Sequence, residues 1–329
     1  MVADTVRRKV PFSGLRPLDV SRDLKGVADL VAEAFREDMD PSGERAVRDM
    51  RLASRWAFLF GWLDHFAPPG EGIAPGFVWI EDGRVVGNLS ARRTAPYGRG
   101  WLIGNVAVAP EWRRRGIARQ MMMAAIDLAR ERRGEWVALQ VRSDNAGAKA
   151  LYASLGFRDL GESVHYRRVR SVLGAPPAAP IEGLRTARAE DADRIYSLAQ
   201  AAIPEVLRWA EPLRRDDFWM GFDRRLANRL IGRHEAWWVV DSERGFVGAA
   251  HAEVARPPDD GRLRVWVAPA WQGEYEAALV NRALAALGDA VSRPMLASLP
   301  ATHTAAIQAL ESVGFEVLRR LTHMRLELR

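Results

Sequence analysis

Residues 106–122 read VAVAPEWRRRGIARQMM, and their layout decides the fold. A β-branched run stops at Pro110, a basic loop follows, and a helix opens at Gly116. Ile117, Met121, Ala124 and Leu128 then recur at helical spacing, so a buried stripe is expected on a helix from Ile117 to about Arg132. The strand EWVALQVR, 135–142, comes next. In the first turn of such a helix the N–H groups lack partners and point along the axis, and the dipole adds partial positive charge. Gly116 and Ala118 let a phosphate approach the backbone, while Arg113, Arg114 and Arg115 reinforce the charge.

The same plan occurs twice. VAVAPEW (106–112) is answered by VWVAPAW (265–271), ASLGF (153–157) by ESVGF (311–315), and Val86-Gly87 by Val247-Gly248. FVWIEDGRVVGNLSA (77–91) reads as a strand, an Asp82-Gly83 turn and a second strand, and WWVVDSERGFVGAAHA (237–252) repeats it with a longer turn. The offsets are 159, 158 and 161 residues respectively, and the segments keep the same order along the chain, which marks a duplication. Between the copies, LGAPPAAP (173–180) has neither helical nor strand period and reads as a linker. The expected domains are therefore 1–172 and 181–329, each an α/β (α+β) layout with a mixed, mostly antiparallel sheet flanked by helices.

Length and composition agree with two domains, since 329 residues with 48% hydrophobic side chains can bury more than one core. The chain has no cysteine, which excludes disulfides, thiolate metal sites and a thiol nucleophile, and fits a reducing cytoplasm. No metal is expected. The opening MVADTVRRKVPF lacks a signal-peptide core, and no run of apolar residues is long enough for a membrane helix. Residues 1–172 hold 28 Lys+Arg against 21 Asp+Glu, whereas residues 173–329 hold 20 against 21, so the basic excess lies in the first half. Its arginines are interleaved with acids and offer nucleic acid no continuous groove or stacking platform. Salt-sensitive binding to DNA would revive that reading.

One strand downstream of the basic loop stands DNAGAKALYASLGF (144–157). Together the two segments resemble the signatures of the GNAT acetyltransferase family, whose pyrophosphate loop, Arg/Gln-x-x-Gly-x-Gly/Ala, stands here as Arg113-Arg114-Arg115-Gly116-Ile117-Ala118. The resemblance covers roughly residues 12–168 and implies that acetyl-CoA lies between two splayed strands. It implies that Val106, Ala107 and Val108 flank the pantetheine arm, with the valines offering backbone groups, and that the loop through Arg119 holds the pyrophosphate. It further implies that Asn145 holds the pantetheine arm and that Tyr152 is the general acid for the departing thiolate. Singly, these residues also read as strand core, a helix N-cap and a packed aromatic. In this order and spacing, the functional reading is favoured.

Acetyl transfer to an amine also needs the amine neutral. Family members that acetylate protein N-termini often carry a Glu where this sequence has Gln140, which has no basic atom. An α-amino group of pKa near 8 is roughly a tenth neutral at pH 7, whereas a lysine must spend about 4.6 kcal/mol to lose its proton. A low-pKa amine is the expected acceptor, on a small molecule or a peptide, unless another carboxylate acts through water. Glu81, Asp82, Glu33, Glu37, Asp38 and Asp40 are alternatives by position, and His65 beside Asp64 is a further one. Trp56, Phe58, Phe60, Trp62 and Phe66 crowd a segment, 42–69, where the family builds its acceptor pocket, although core packing is the plainer reading of most.

Aligned on Ala109-Pro110 and Ala268-Pro269, the second copy has Gln272-Gly273-Glu274-Tyr275-Glu276-Ala277 in place of the pyrophosphate loop, His303 in place of Asn145 and Leu310 in place of Tyr152. A silent, structural second half is expected, although tandem members such as the mycothiol synthases keep that half active. The competing reading is a non-catalytic acyl-CoA-binding sensor, which retention of Tyr152 opposes. Oligomeric state is left open.

Overall fold

The computed structural model describes residues 12–36, 41–54, 76–94, 98–169, 181–210, 212–243, 245–254 and 260–328. The linker 173–180, Trp56 through Phe66, and Glu37, Asp38 and Asp40 lie outside the described residues. By compactness the chain divides into one unit of residues 1–139, 150–158 and 325–329 and another of 140–149 and 159–324.

In the first unit, β1 (Gly14–Pro17), β2 (Gly76–Glu81), β3 (Arg84–Arg93) and β4 (Gly100–Val108) pair antiparallel in sequence order. The β2–β3 turn falls at Asp82 and Gly83, both with positive φ (49° and 75°), as a tight hairpin demands. Strand β4 then runs parallel to β5 (Trp136–Arg142) from Gly100 opposite Trp136 to Ile103 opposite Leu139. Helix α1 (Val20–Ala34) is capped by Asp19, whose carboxylate accepts the Ser21 N–H, and α2 (Pro41–Ser54) follows it.

Helix α3 (Ile117–Glu131) buries Ile117, Met121, Met122, Ala125, Ile126 and Ala129. Its stripe is thus rotated from the one expected, with Ala124 and Leu128 only half-buried. The helix sits close on the sheet: a Cβ at Gly87 would stand 3.1 Å from Ile117 and 3.2 Å from Met121.

Helix α4 (Ala146–Ser154) follows β5 and leads into β6 (Arg158–Arg168). In the second unit β6 pairs antiparallel with β11 (Met295–Pro300), Arg168 opposite Met295 and Ser163 opposite Pro300. The remaining strands repeat the first plan. β7 (Leu184–Thr186), β8 (His234–Ser242), β9 (Gly245–Val254) and β10 (Gly261–Val267) are antiparallel, and β10 runs parallel to β11 at Gly261 and Arg262. Along β8 the side chains alternate between two cores. Val240 joins Leu279, Val280 and Ala283 of α7 (Glu276–Ala285), whereas Trp237 and Val239 join Ile195 and Leu198 of α5 (Ala192–Ala202). Helix α6 (Phe222–Ile231) precedes β8, α8 (Thr304–Ser312) follows β11, and β12 (Glu316–Glu327) ends the chain.

Candidate active site

The candidate site lies where β4 keeps β3 as a partner but no longer pairs with β5. Asn105 adopts φ 52°, its carbonyl accepts a hydrogen bond from the buried Asn88 amide at 3.1 Å, and the β3–β4 register shifts between Asn88 and Ser90. Beyond this bulge Gly87 faces Val108 and Asn88 faces Ala107, while pairing with β5 has ended at Ile103. The Ala109 N–H donates to Val86 O at 2.9 Å. Strand alternation therefore turns the backbone groups of Val106 and Val108 to the opposite edge, where Arg113 Nε donates to Val108 O at 3.0 Å. Val106 and Val108 are half-buried and Ala107 is buried.

After a short helical turn, Pro110–Trp112, the loop reaches α3 through Arg114 and Gly116, with φ 65° and 80°. Gly116 is the N-cap and no side chain caps the helix, whose first intrahelical bond runs from Gln120 N–H to Gly116 O. The N–H groups of Ile117, Ala118 and Arg119 thus begin the helix without a capping oxygen. Arg113, Arg114, Arg115 and Arg119 are exposed, so their charge faces solvent. Arg115 lies 4.4 Å over the Trp112 ring, and Arg119 donates to Ser154 Oγ at 2.8 Å. The loop can hold a polyanion by backbone amides, dipole and guanidinium groups together.

Tyr152, on α4, is 6% exposed and its ring lies 6.1 Å from that of Phe157. Burial pushes its phenol up to about 12, so it carries its proton throughout the neutral range. Asn145 is exposed, and its side-chain oxygen accepts the Ala148 N–H at 3.0 Å, capping α4.

Among the candidate bases, Glu81 accepts from Trp79 Nε1 at 2.8 Å, Asp82 sits at the hairpin tip, and Glu33 is exposed on α1. Gln140 is exposed, and its Nε2 lies 3.5 Å from Nδ1 of His323, a residue that the sequence reading did not single out. His323 is 1% exposed, with Nε2 2.9 Å from Ser163 Oγ and the Trp209 ring edge-on at 5.6 Å. Burial pushes its imidazole down to about 4. Nothing in the sequence pairs positions 183 residues apart. Among the described residues no cluster of three or more His, Cys, Asp or Glu could hold a metal ion, and no helix is long and apolar enough to cross a membrane.

Family models match both halves, an acetyltransferase (GNAT) family model over residues 32–157 and an acetyltransferase (GNAT) domain model over 183–316. The chain belongs to the GNAT acetyltransferase family. Over 332 aligned residues this tandem GNAT chain is 26% identical to a mycothiol acetyltransferase of Mycolicibacterium vanbaalenii, covering 95% of the chain and 96% of the relative. A shorter match, 44% over 55 residues, links it to a [ribosomal protein bS18]-alanine N-acetyltransferase of Salmonella typhimurium, covering 17% of the chain and 37% of that enzyme. In fold it is similar to a GCN5-related N-acetyltransferase of Sphaerobacter thermophilus, with TM-score 0.63, 19% identity and 96% of each chain covered. It is also similar to a tandem GNAT protein from the clavulanic acid biosynthesis pathway, with TM-score 0.59, 18% identity and coverage of 95% and 98%.

Proposed function

We propose that this GNAT chain moves an acetyl group from acetyl-CoA directly to a primary amine, with its active site in the first half, 1–172, and a silent second half, 181–329. The uncapped start of α3, set in four exposed arginines, carries this reading. The residues present fit the co-substrate. Arg113 through Arg119 would hold the pyrophosphate, and Val106 and Val108 present backbone groups along β4 with Ala107 between them. Asn145 would steady the pantetheine arm through its amide N–H, its oxygen being committed to the cap.

In the transfer, the neutral amine nitrogen attacks the thioester carbonyl and passes its surplus proton to solvent, the C–S bond breaks, and Tyr152 gives its proton to the departing thiolate and regains one from solvent. Gln140 offers no basic atom, which supports an acceptor that is already partly neutral at pH 7. Two relatives support the reading in kind, one a mycothiol acetyltransferase and the other a ribosomal-protein-alanine N-acetyltransferase. Calorimetric titration with acetyl-CoA should give one site per chain, abolished by Gly116→Glu. A panel of amines of graded pKa should then favour α-amines over simple lysines. Binding without turnover of any amine would leave a sensor, and no binding would remove the reading.

A further inference from the structure

Strand β4 changes phase along its length. In its first part the ladder with β3 pairs Arg93 with Trp101, Ala91 with Ile103 and Ser90 with Gly104, and Thr94 N–H donates to Gly100 O at 2.9 Å. Backbone groups turn to one edge at every second residue, so in this part the even-numbered residues face β3. Further on, Asn88 pairs with Ala107 and Gly87 with Val108, and Ala109 N–H donates to Val86 O at 2.9 Å, so there the odd-numbered residues face β3. The switch takes one extra residue, with Asn105 and Val106 together standing opposite Leu89. Without it, Val106 and Val108 would turn their backbone groups into β3 and away from the open edge.

Two asparagines hold the extra residue. Asn105 has φ 52°, a left-handed conformation that a residue with a side chain keeps only where its surroundings fix it. Asn88, 3% exposed, does the fixing, its side-chain N–H donating to the Asn105 carbonyl at 3.1 Å. Two residues along β3, Ser90 Oγ donates to the Gly104 carbonyl at 2.9 Å and secures the other flank.

The second copy is an internal control. Matching Val86-Gly87 to Val247-Gly248 and VAVAPEW to VWVAPAW puts Ala249 in place of Asn88 and Arg264 in place of Asn105. Its β9–β10 ladder runs unbroken from Arg262 opposite Glu253 to Val267 opposite Gly248. Neither asparagine is there, and neither is the extra residue. The bulge is therefore no requirement of the fold, and it goes with the asparagine pair.

We infer that Asn88 is a positioning residue for acetyl transfer, which through the Asn105 carbonyl holds the bulge that turns the backbone of Val106 and Val108 toward the thioester. A carbonyl that gains negative charge is best stabilised by donors fixed before it arrives, and Asn88 fixes them without touching the substrate. This role rests on the reading that the first half carries out the transfer.

The test takes two readouts on the full chain carrying Asn88→Ala. Hydrogen exchange across residues 104–109, measured without substrate, should quicken relative to wild type while that of α3 stays the same. Turnover per folded enzyme, with the best acceptor from the amine panel, should fall on the order of 10²-fold, with KM for acetyl-CoA little changed because the pyrophosphate loop is intact. Adding Asn105→Gly is the rescue, since glycine adopts a positive φ unaided, and both exchange and kcat should return toward wild type. If Asn88→Ala does not fold, Asn88→Asp keeps the size, loses the donor and carries the same test. Unchanged exchange would overturn the hold on the bulge, and quickened exchange with wild-type kcat would overturn the role in transfer. A wild-type chain that binds acetyl-CoA but turns over no amine would sink the transfer reading and the role with it, while exchange still decides whether Asn88 holds the bulge.

Discussion

The Arg185 guanidinium holds the buried Asp191 carboxylate with two hydrogen bonds, 2.7 and 2.9 Å long. Burial raises the Asp191 carboxyl, but Arg185 and the Arg188 N–H outweigh it and hold it below the usual range. A depressed folded pKa adds stability above the ordinary carboxylate range and loses it as pH falls through the folded value. Asp191→Ala leaves Arg185 with Asp241 and the Thr186 carbonyl and should cost about 3–5 kcal/mol near neutrality. Urea melts of both proteins at falling pH should converge, and a constant gap would count against this account.

Gly87 is the seat of α3. Gly87→Ala introduces a Cβ 3.0 Å from Trp79 and little farther from Ile117 and Met121, which should cost about 1–3 kcal/mol. Chemical denaturation reads the loss. Trimming the helix side with Met121→Ala in the same chain should make the two costs less than additive.

Tyr152→Phe keeps the ring packed against Phe157 and removes only the hydroxyl. If Tyr152 protonates the leaving thiolate, kcat should fall about 10²- to 10⁴-fold with KM for acetyl-CoA little changed. Because burial raises the phenol to about 12, the wild-type rate should show no alkaline fall from this group as pH passes its ordinary value of 10.

His323 sets a slope on the acid side. Its folded pKa is depressed from 6.5 to about 4, so between those values the unfolded chain binds the proton first and stability falls as pH falls. His323→Gln should flatten the pH dependence of the denaturation midpoint across that window. An unchanged slope would assign it to other groups.

The repeated VAVAPEW and VWVAPAW segments, the Asp82-Gly83 turn and the helix after Gly116 were legible because each is local chemistry of a few adjacent residues. Other features were not, because they join distant or shifted positions. Arg16 binds Asp23 at 2.6 and 2.7 Å as Arg185 binds Asp191, with Leu15-Arg16-Pro17 answered by Leu184-Arg185-Thr186. The arginine-to-aspartate spacing is seven residues in one copy and six in the other, which hides the match from a fixed offset. Glu276 lies buried with its carboxylate 2.8 Å from Nε2 of the buried His303, a pairing that follows from two helices meeting. His323 beside Gln140 follows from strand placement that no local pattern encodes.

Strand β6 lies upstream of the linker expected at 173–180, yet its ladder with Met295–Pro300 lies in the second compact unit. A gene cut at the linker would therefore strand both products. The downstream fragment would expose the backbone of Met295–Pro300 as a sticky edge, and the upstream fragment would carry a ribbon severed from its ladder.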